Sequence, residues 1–183
     1  MVSPGYHDLL QGAEIAPRQY PVTRLDLVRY AGASGDFNPI HWNQRIATSV
    51  GLPDVIAHGM LTMALAGRYL TDWAGDPAAV TEFGVRFSSP VVVPDDDKGA
   101  LVEIAGVVTG KLDGNQVAVD VTARSGDAKV LTRARAVVRL PAVLAQGDDP
   151  LEPPRNSADE AGGLHHGPAG RAGPGLRPRR NRT

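Results

Sequence analysis

An acid and a histidine that lie five residues apart are the strongest candidates for chemistry in this sequence. Asp36 and His41 follow Gly35 and are separated by the dipeptide Asn38-Pro39. Asn-Pro favours a turn, because the residue before proline is displaced from helical conformations. A tight turn allows both side chains to face one point. Histidine, with an unperturbed pKa of about 6.5, takes and returns protons at neutral pH. The pair therefore predicts general acid–base chemistry.

A second candidate group begins the predicted third helix, in the stretch Ile56-Ala57-His58-Gly59-Met60. The first N–H groups of a helix have no intrahelical acceptor and carry the positive end of its dipole. Gly59 has no side chain to block approach, so its N–H is predicted to polarise a carbonyl or hold an oxyanion. An acid, a base and an oxyanion donor are what proton abstraction beside a thioester carbonyl requires.

Each of these residues also has a purely structural interpretation. Asp36 is a residue type that forms Asx turns, and His58 is of a kind that often bonds backbone at a helix N-terminus. Gly59 would permit close packing of a helix on a sheet. No metal is expected at His41 and His58, because no motif places a third ligand. A serine hydrolase is not indicated, because no serine has the context of a nucleophile elbow.

Local signals predict three helices in the first half of the chain. Thr23 and Asp26 form a capping-box pattern, and Gly32 or Gly35 ends the helix that follows. A short helix is predicted over 43–50, closed by Gly51, and a longer one over 58–73. The expected apolar faces are Leu25, Val28 and Ala31/Gly32 on the first helix, and Leu61, Leu65, Tyr69 and Trp73 on the third.

The second half of the chain has the alternating pattern of half-buried strands. Strands are predicted over 80–88, 100–110, 116–125 and 128–140, and hairpin turns place the last three in an antiparallel meander. A strand over 14–22 is expected to join the sheet near an edge, because it contains Pro17 and Pro21. The sequence therefore predicts an α+β fold, with one long apolar helix against a curled antiparallel sheet.

Composition divides the 183 residues into a domain over 1–141 and a tail over 142–183. From 147 to 183 there are 7 Gly and 6 Pro but no Val, Ile, Met, Phe, Tyr or Trp, so disorder is expected. The adjacent His165 and His166 are weak evidence for a metal site, because they lie in this Gly-flanked segment. The basic residues near the C-terminus are expected to be solvated.

Charge and composition exclude several classes of function. The 19 Lys and Arg against 20 Asp and Glu argue against a dedicated nucleic-acid-binding protein. The absence of cysteine excludes disulfides, iron–sulfur clusters and a thiol nucleophile. No apolar run approaches about 18 residues, so no membrane span is predicted. The N-terminus lacks the pattern of a secretory signal, so a cytoplasmic location is expected.

The stretch Ser34-Gly35-Asp36-Phe37-Asn38-Pro39-Ile40-His41, followed by Ala57-His58-Gly59-Met60, resembles the hydratase-2 motif of the MaoC-like dehydratase family. Residues 80–94 resemble the strand and turn that follow the central helix of that family. The resemblance covers about 1–141 and implies the hot-dog fold, a long helix wrapped by an antiparallel sheet. Within the family, the sequence is most similar to the catalytic beta-type subunits of actinobacterial (3R)-hydroxyacyl-ACP dehydratases.

The resemblance implies a reversible elimination of water from a 3-hydroxyacyl-ACP or 3-hydroxyacyl-CoA, giving a trans-2-enoyl thioester, as in fatty-acid elongation. Asp36 and His41 would carry the acid–base steps, and the question of which one handles which proton stays open. The Gly59 N–H would hold the thioester oxygen, with Asn38 and His58 as further candidates for contact with substrate. Asn38 would alternatively shape the loop. No cofactor is expected, because the thioester itself acidifies C2.

The resemblance also implies a dimer at minimum, with a heterodimer favoured over a homodimer. The partner would be a homologous hot-dog subunit that lacks the acid–base pair. The alternatives are a hot-dog acyl thioesterase and a non-catalytic acyl-binding subunit. A thioesterase would use a carboxylate on or near the central helix, where only Asp72 stands, at the far end. Acyl chain length, carrier and pathway stay open.

Overall fold

The computed structural model describes residues 4–142 of the chain. The predicted tail therefore lies, apart from its first residue, outside the described residues, together with His165 and His166. The helices are α1 (Arg24–Ser34), α2 (Gln44–Ser49) and α3 (Gly59–Ala74), and a short 3-10 helix spans Pro39–His41. The strands are β1 (Glu14–Val22), β2 (Val80–Phe87), β3 (Ala100–Leu112), β4 (Gln116–Ser125) and β5 (Ala128–Arg139).

The five strands form one antiparallel sheet in the order β1-β3-β4-β5-β2. The predicted meander of the last three strands is confirmed, and β1 lies at an edge as its prolines indicate. The sequence did not place β2, which pairs with β5 and forms the other edge. Helix α3 contacts β1 and β2 at the two edges as well as β3 and β5, so the sheet curls around it.

The predicted start of α1 is confirmed in detail. The Asp26 amide donates to Thr23 Oγ1 and the Thr23 amide donates to Asp26 Oδ2, which completes the capping box. The prediction for its apolar face is confirmed at Ala31, which is buried, and wrong at Leu25 and Val28, which are each 56% exposed while Leu27 is buried instead. Contacts with the rest of the fold set the rotation of α1 about its axis, and its first residue, Arg24, forms hydrogen bonds to residues outside the helix.

The predicted stripe of α3 is also displaced. Of its four members only Tyr69 is fully buried, and the deepest positions include Thr62, Ala66 and Leu70. Small side chains on this face bring the helix axis close to the sheet, so larger residues lie at the sides of the contact. Gly106 on β3 contributes to the same close approach, since a Cβ there would lie 3.4 Å from the Tyr69 ring.

Tyr69 connects the buried centre of α3 to the first strand. Its hydroxyl donates to the carbonyl oxygens of Ile15 and Ala16, at 2.9 and 3.2 Å. Burial raises the pKa of Tyr69 to about 12, so the hydroxyl keeps its proton throughout the neutral range. No helix among the described residues is long and apolar enough to cross a membrane.

We expect Tyr69→Phe to lower the free energy of unfolding by about 1–2 kcal/mol, because it removes the buried hydroxyl that donates to the Ile15 and Ala16 carbonyls. Urea denaturation monitored by circular dichroism measures the change. Tyr6→Phe is the matched control, since the exposed Tyr6 hydroxyl bonds one carbonyl, that of Leu112, at 3.0 Å. A Tyr69→Phe loss no larger than that of the control would show that the buried hydroxyl adds nothing to stability.

Candidate active site

The loop between α1 and the 3-10 helix is held by its own side chains. Gly35 ends α1 with a φ of 74°, a conformation that glycine adopts without strain. The Asp36 amide donates to Ser34 Oγ (3.2 Å), and Asp36 Oδ1 accepts from the Asn38 amide (3.1 Å). Asn38 Oδ1 in turn caps the 3-10 helix at the Ile40 amide (3.3 Å). Asp36 therefore does form an Asx turn, and Asn38 shapes the loop.

His41 is oriented by a backbone carbonyl that no sequence signal marks. The side chain is 7% exposed, and its Nδ1 lies 2.8 Å from the carbonyl oxygen of Ile56. A carbonyl only accepts, so Nδ1 carries the proton and Nε2 keeps its lone pair. The Ile56 amide also donates to the Ile40 carbonyl at 3.3 Å, which fixes the two segments to each other. In the neutral imidazole this contact selects the tautomer with Nδ1 protonated, which leaves Nε2 as the basic atom.

The ring of His58 lies against one face of the His41 ring. The two rings stack with their centroids 3.8 Å apart and their planes 25° apart, and Tyr30 packs 4.9 Å from His58. His58 Nε2 donates to the carbonyl oxygen of Asp36 at 3.1 Å, and the residue is only 2% exposed. Its Nδ1 is buried with no hydrogen-bond partner among the described residues. The geometry leaves no open edge of His58 for a substrate.

Gly59 is the first residue of α3, preceded by His58 as an N-cap with no side-chain hydrogen bond. Its amide has no acceptor within the helix, as expected for the first turn. A Cβ at this position would lie 3.2 Å from the Phe87 ring, so the missing side chain keeps the space between helix and strand open.

His41 and Gly59 line one cleft of about 270 Å³. Its opposite wall is built by residues that the sequence did not single out for this role. They are Phe87 at the end of β2, the segment 88–91 and Val130 on β5, together with Thr62 of α3. The pairing of β2 with β5 brings Phe87 close to Val130, and the bond from the Ala57 amide to the Val91 carbonyl places the segment 88–91; no local sequence pattern predicts either contact. Asp36 is exposed beside this cleft.

Burial lowers the pKa of His41 below its usual value of 6.5. The hydrogen bond to the Ile56 carbonyl opposes this shift, the neighbouring His58 adds to it, and the Asp36 carboxylate opposes it. The balance of these effects favours the unprotonated imidazole, which is the form of a general base.

One donor atom from each of Asp36, His41 and His58 lies within 4.8 Å of the others. Asp36 thus supplies the third donor that the sequence argument against a metal did not find. The two ring planes are nevertheless stacked 3.8 Å apart and only 25° from parallel, so an ion in the plane of one ring at bonding distance would lie out of the plane of the other. Turning the His58 ring would break its bond to the Asp36 carbonyl. This arrangement fits proton transfer better than metal binding.

A family model described as MaoC like domain matches residues 10–126. The chain belongs to the MaoC-like family. Over 73 residues it is 44% identical to 3-hydroxyacyl-thioester dehydratase X of Mycobacterium tuberculosis, covering 40% of this chain and 25% of that protein. It therefore spans about a quarter of the length of that relative.

Solved MaoC-like structures have the same architecture. One MaoC-like dehydratase has a TM-score of 0.72 and 41% identity, covering 76% of this chain and 43% of the other. The R-hydratase PhaJ1 from Pseudomonas aeruginosa has a TM-score of 0.66 and 26% identity, covering 76% and 86%. The (R)-hydratase from A. caviae has a TM-score of 0.64 and 25% identity, covering 73% and 98%. The expected hot-dog fold is confirmed.

We expect His41 to titrate below pH 6.5 in the folded MaoC-like domain, because burial disfavours the imidazolium. The unfolded chain then binds more protons just below pH 6.5, so stability falls as the pH falls from 6.5 towards the lowered value. A histidine NMR titration measures the pKa, with the His41 signals assigned by their loss in His41→Gln. The same variant should lose less stability over that pH interval, and an unshifted His41 would contradict the expectation.

Proposed function

We propose that this chain is a (3R)-hydroxyacyl-thioester dehydratase that also catalyses the reverse hydration of trans-2-enoyl thioesters. The observation that carries the proposal is the single cleft shared by His41 and Gly59, with Asp36 beside it. A neutral imidazole, a free helix N-terminal amide and a carboxylate are together suited to proton transfer next to a carbonyl.

In the dehydration direction, His41 Nε2 removes a proton from C2 of the substrate. The Gly59 amide donates to the thioester oxygen and stabilises the enolate-like charge that develops there. The C3 hydroxyl leaves as water with the proton that His41 took up, relayed by Asp36 directly or through a bridging water, so that both groups return to their starting states. Hydration follows the same path in reverse. This assignment of base and acid uses the tautomer that the Ile56 carbonyl imposes on His41.

Relatives of known activity support the reaction class. The two (R)-hydratase structures are matched over 86% and 98% of their chains, so the likeness extends over almost the whole of those proteins. The mitochondrial 3-hydroxyacyl-[acyl-carrier-protein] dehydratase of Arabidopsis thaliana is 33% identical over 81 residues, covering 44% of this chain and 48% of that protein. These likenesses favour acyl-ACP or acyl-CoA as substrate and fatty-acid synthesis as context.

We assign the domain to residues 1–141, because the Tyr6 amide bonds the Pro141 carbonyl at 2.9 Å.

The thioesterase alternative is not supported by a carboxylate on α3 at the cleft. Asp72, the acid on α3, bonds Arg18 at 2.9 Å and lies near the C-terminal end of the helix. Incubation with a crotonyl thioester separates the alternatives. Loss of the conjugated enoyl absorbance without release of free thiol supports the hydratase. Thiol release would support the thioesterase, and no change would support a non-catalytic acyl-binding subunit.

His41→Ala and Asp36→Asn should each reduce the rate of hydration by at least about 100-fold, the usual size of a general acid–base contribution. Both variants should fold, because the exchanged groups lie beside an open cleft. Steady-state kinetics with the crotonyl thioester measures the loss, and circular dichroism checks the fold. A folded variant with nearly full activity would refute the assignment of that residue.

We further propose that the chain works as a dimer, with a homologous hot-dog chain favoured as partner over a second copy. Edge strand β1 carries Pro17 and Pro21, which have no backbone N–H to donate to another strand and so oppose pairing there. Strand β2 at the other edge contains no proline and ends at the half-exposed Phe87 beside the cleft. Pairing at β2 would place the partner next to the site. A 32% identical relative in Mycobacterium tuberculosis is itself named as the beta subunit of a hydratase, and the match covers 48% of this chain and 64% of that one.

Light scattering should give a mass of at least twice the chain for the active species. Purification alone and after co-expression with the product of a neighbouring homologous gene distinguishes the two assemblies. Higher activity of the co-purified pair supports the heterodimer, because the partner then completes the acyl site. A fully active homodimer would remove the partner, and a fully active monomer would refute assembly through β2.

A further inference from the structure

His58 is the one histidine of the site that the mechanism above does not use. It is less exposed than His41, at 2% against 7%, and it does not line the cleft. A fully buried histidine with an unpartnered nitrogen is costly to keep, since an unsatisfied buried polar atom destabilises the fold. Its position between Asp36 and His41 shows what it contributes.

Three contacts fix the His58 ring. One face stacks on His41 at 3.8 Å, Tyr30 from α1 packs against it at 4.9 Å, and Nε2–H donates to the Asp36 carbonyl at 3.1 Å. The ring comes from the residue directly before α3, so the helix supplies a rigid base for it. One side chain thus touches the peptide of the acid and the ring of the base.

We propose that His58 is a positioning residue, which holds the Asp36 peptide with its Nε2–H and shields one face of the His41 ring from water. The inference rests on the proposed function, since it assigns the means by which the two acid–base groups are aligned. The hydrogen bond and the ring contact are two separate contributions, and different substitutions remove them.

The hydrogen bond acts on the loop. Asp36 is exposed, and within residues 4–142 the Asn38 amide is the one hydrogen-bond partner of its side chain, so the contact between its carbonyl and His58 links it to the helix. The ring contact acts on the base. Water excluded from His41 by the stacked ring is part of the burial that disfavours its protonated form. The titratable groups in contact with this stack among the described residues are Asp36 and Tyr30.

Two variants separate these contributions. His58→Phe keeps an aromatic ring against His41 but removes the donor to Asp36. We expect kcat to fall about tenfold with KM little changed. The acidic limb of the pH–rate profile should move to higher pH by less than in the ring-removing variant, because the ring stays while the electrostatic effect of His58 on the His41 pKa is lost. His58→Gln keeps an amide donor that can reach the Asp36 carbonyl but removes the ring. We expect its acidic limb to move to higher pH, with kcat above that limb within about threefold of the parent.

His7→Phe and His7→Gln are matched controls, because His7 is an exposed histidine near the N-terminus and should leave both readouts unchanged. Melting temperatures are recorded for all variants. A folded His58→Phe enzyme with the parent kcat would overturn the inference. The inference would also be overturned if the activity of both His58 variants fell only in proportion to the fraction of unfolded protein, with the acidic limb of the pH–rate profile unchanged. His41→Ala tests the proposed function separately, since full activity in that variant would refute the reaction assignment whatever the His58 variants show.

Discussion

The short segment Val55–Ala57 is bonded on both sides, and the site depends on that double attachment. On one side the Ala57 amide donates to the Val91 carbonyl (2.8 Å) and the Val93 amide donates to the Val55 carbonyl (2.9 Å). On the other side Ile56 bonds Ile40 through its amide and His41 through its carbonyl. The cleft wall and the base are thus attached to the same three residues, which lead directly into α3.

A partly buried ion pair reinforces this segment. Arg24 Nε donates to the Val93 carbonyl at 2.7 Å, and its Nη2 lies 2.8 Å from Asp54 Oδ1. Asp54 also accepts from the amide of Val55 at 2.7 Å. Both side chains are about four-fifths shielded from solvent, at 21% exposure each. These bonds connect the start of α1 to the backbone around the segment Val55–Ala57. The loop that carries Asp36 follows the other end of α1, so it leaves a helix whose first turn is anchored.

Much of this fold could be predicted from the sequence, because it depends on interactions between residues that are close along the chain. The Thr23–Asp26 box, the turns around Gly114 and Gly126 and the alternation along β4 depend on neighbouring residues, and the structure follows them closely. The faces of α1 and α3 depend on what packs against them, which explains why Leu25 and Leu61 are less buried than expected. The Asp36–His41 pair could be proposed from the sequence because its chemistry depends on side-chain types. The contact of the Ile56 carbonyl with His41 could not be predicted, because every residue has a carbonyl.

The two edge strands of the sheet differ, and this difference affects how many chains can join edge to edge. A sheet with two free edges can add copies without end, whereas one free edge permits a single pairing event. Pro17 and Pro21 oppose pairing at β1, whereas β2 contains no proline. Any union through β2 uses up the open edge of both members and leaves only the proline-bearing strands at the outer margins. Assembly through β2 would therefore stop at two chains, and the prolines of β1 would oppose the addition of further copies into a fibre.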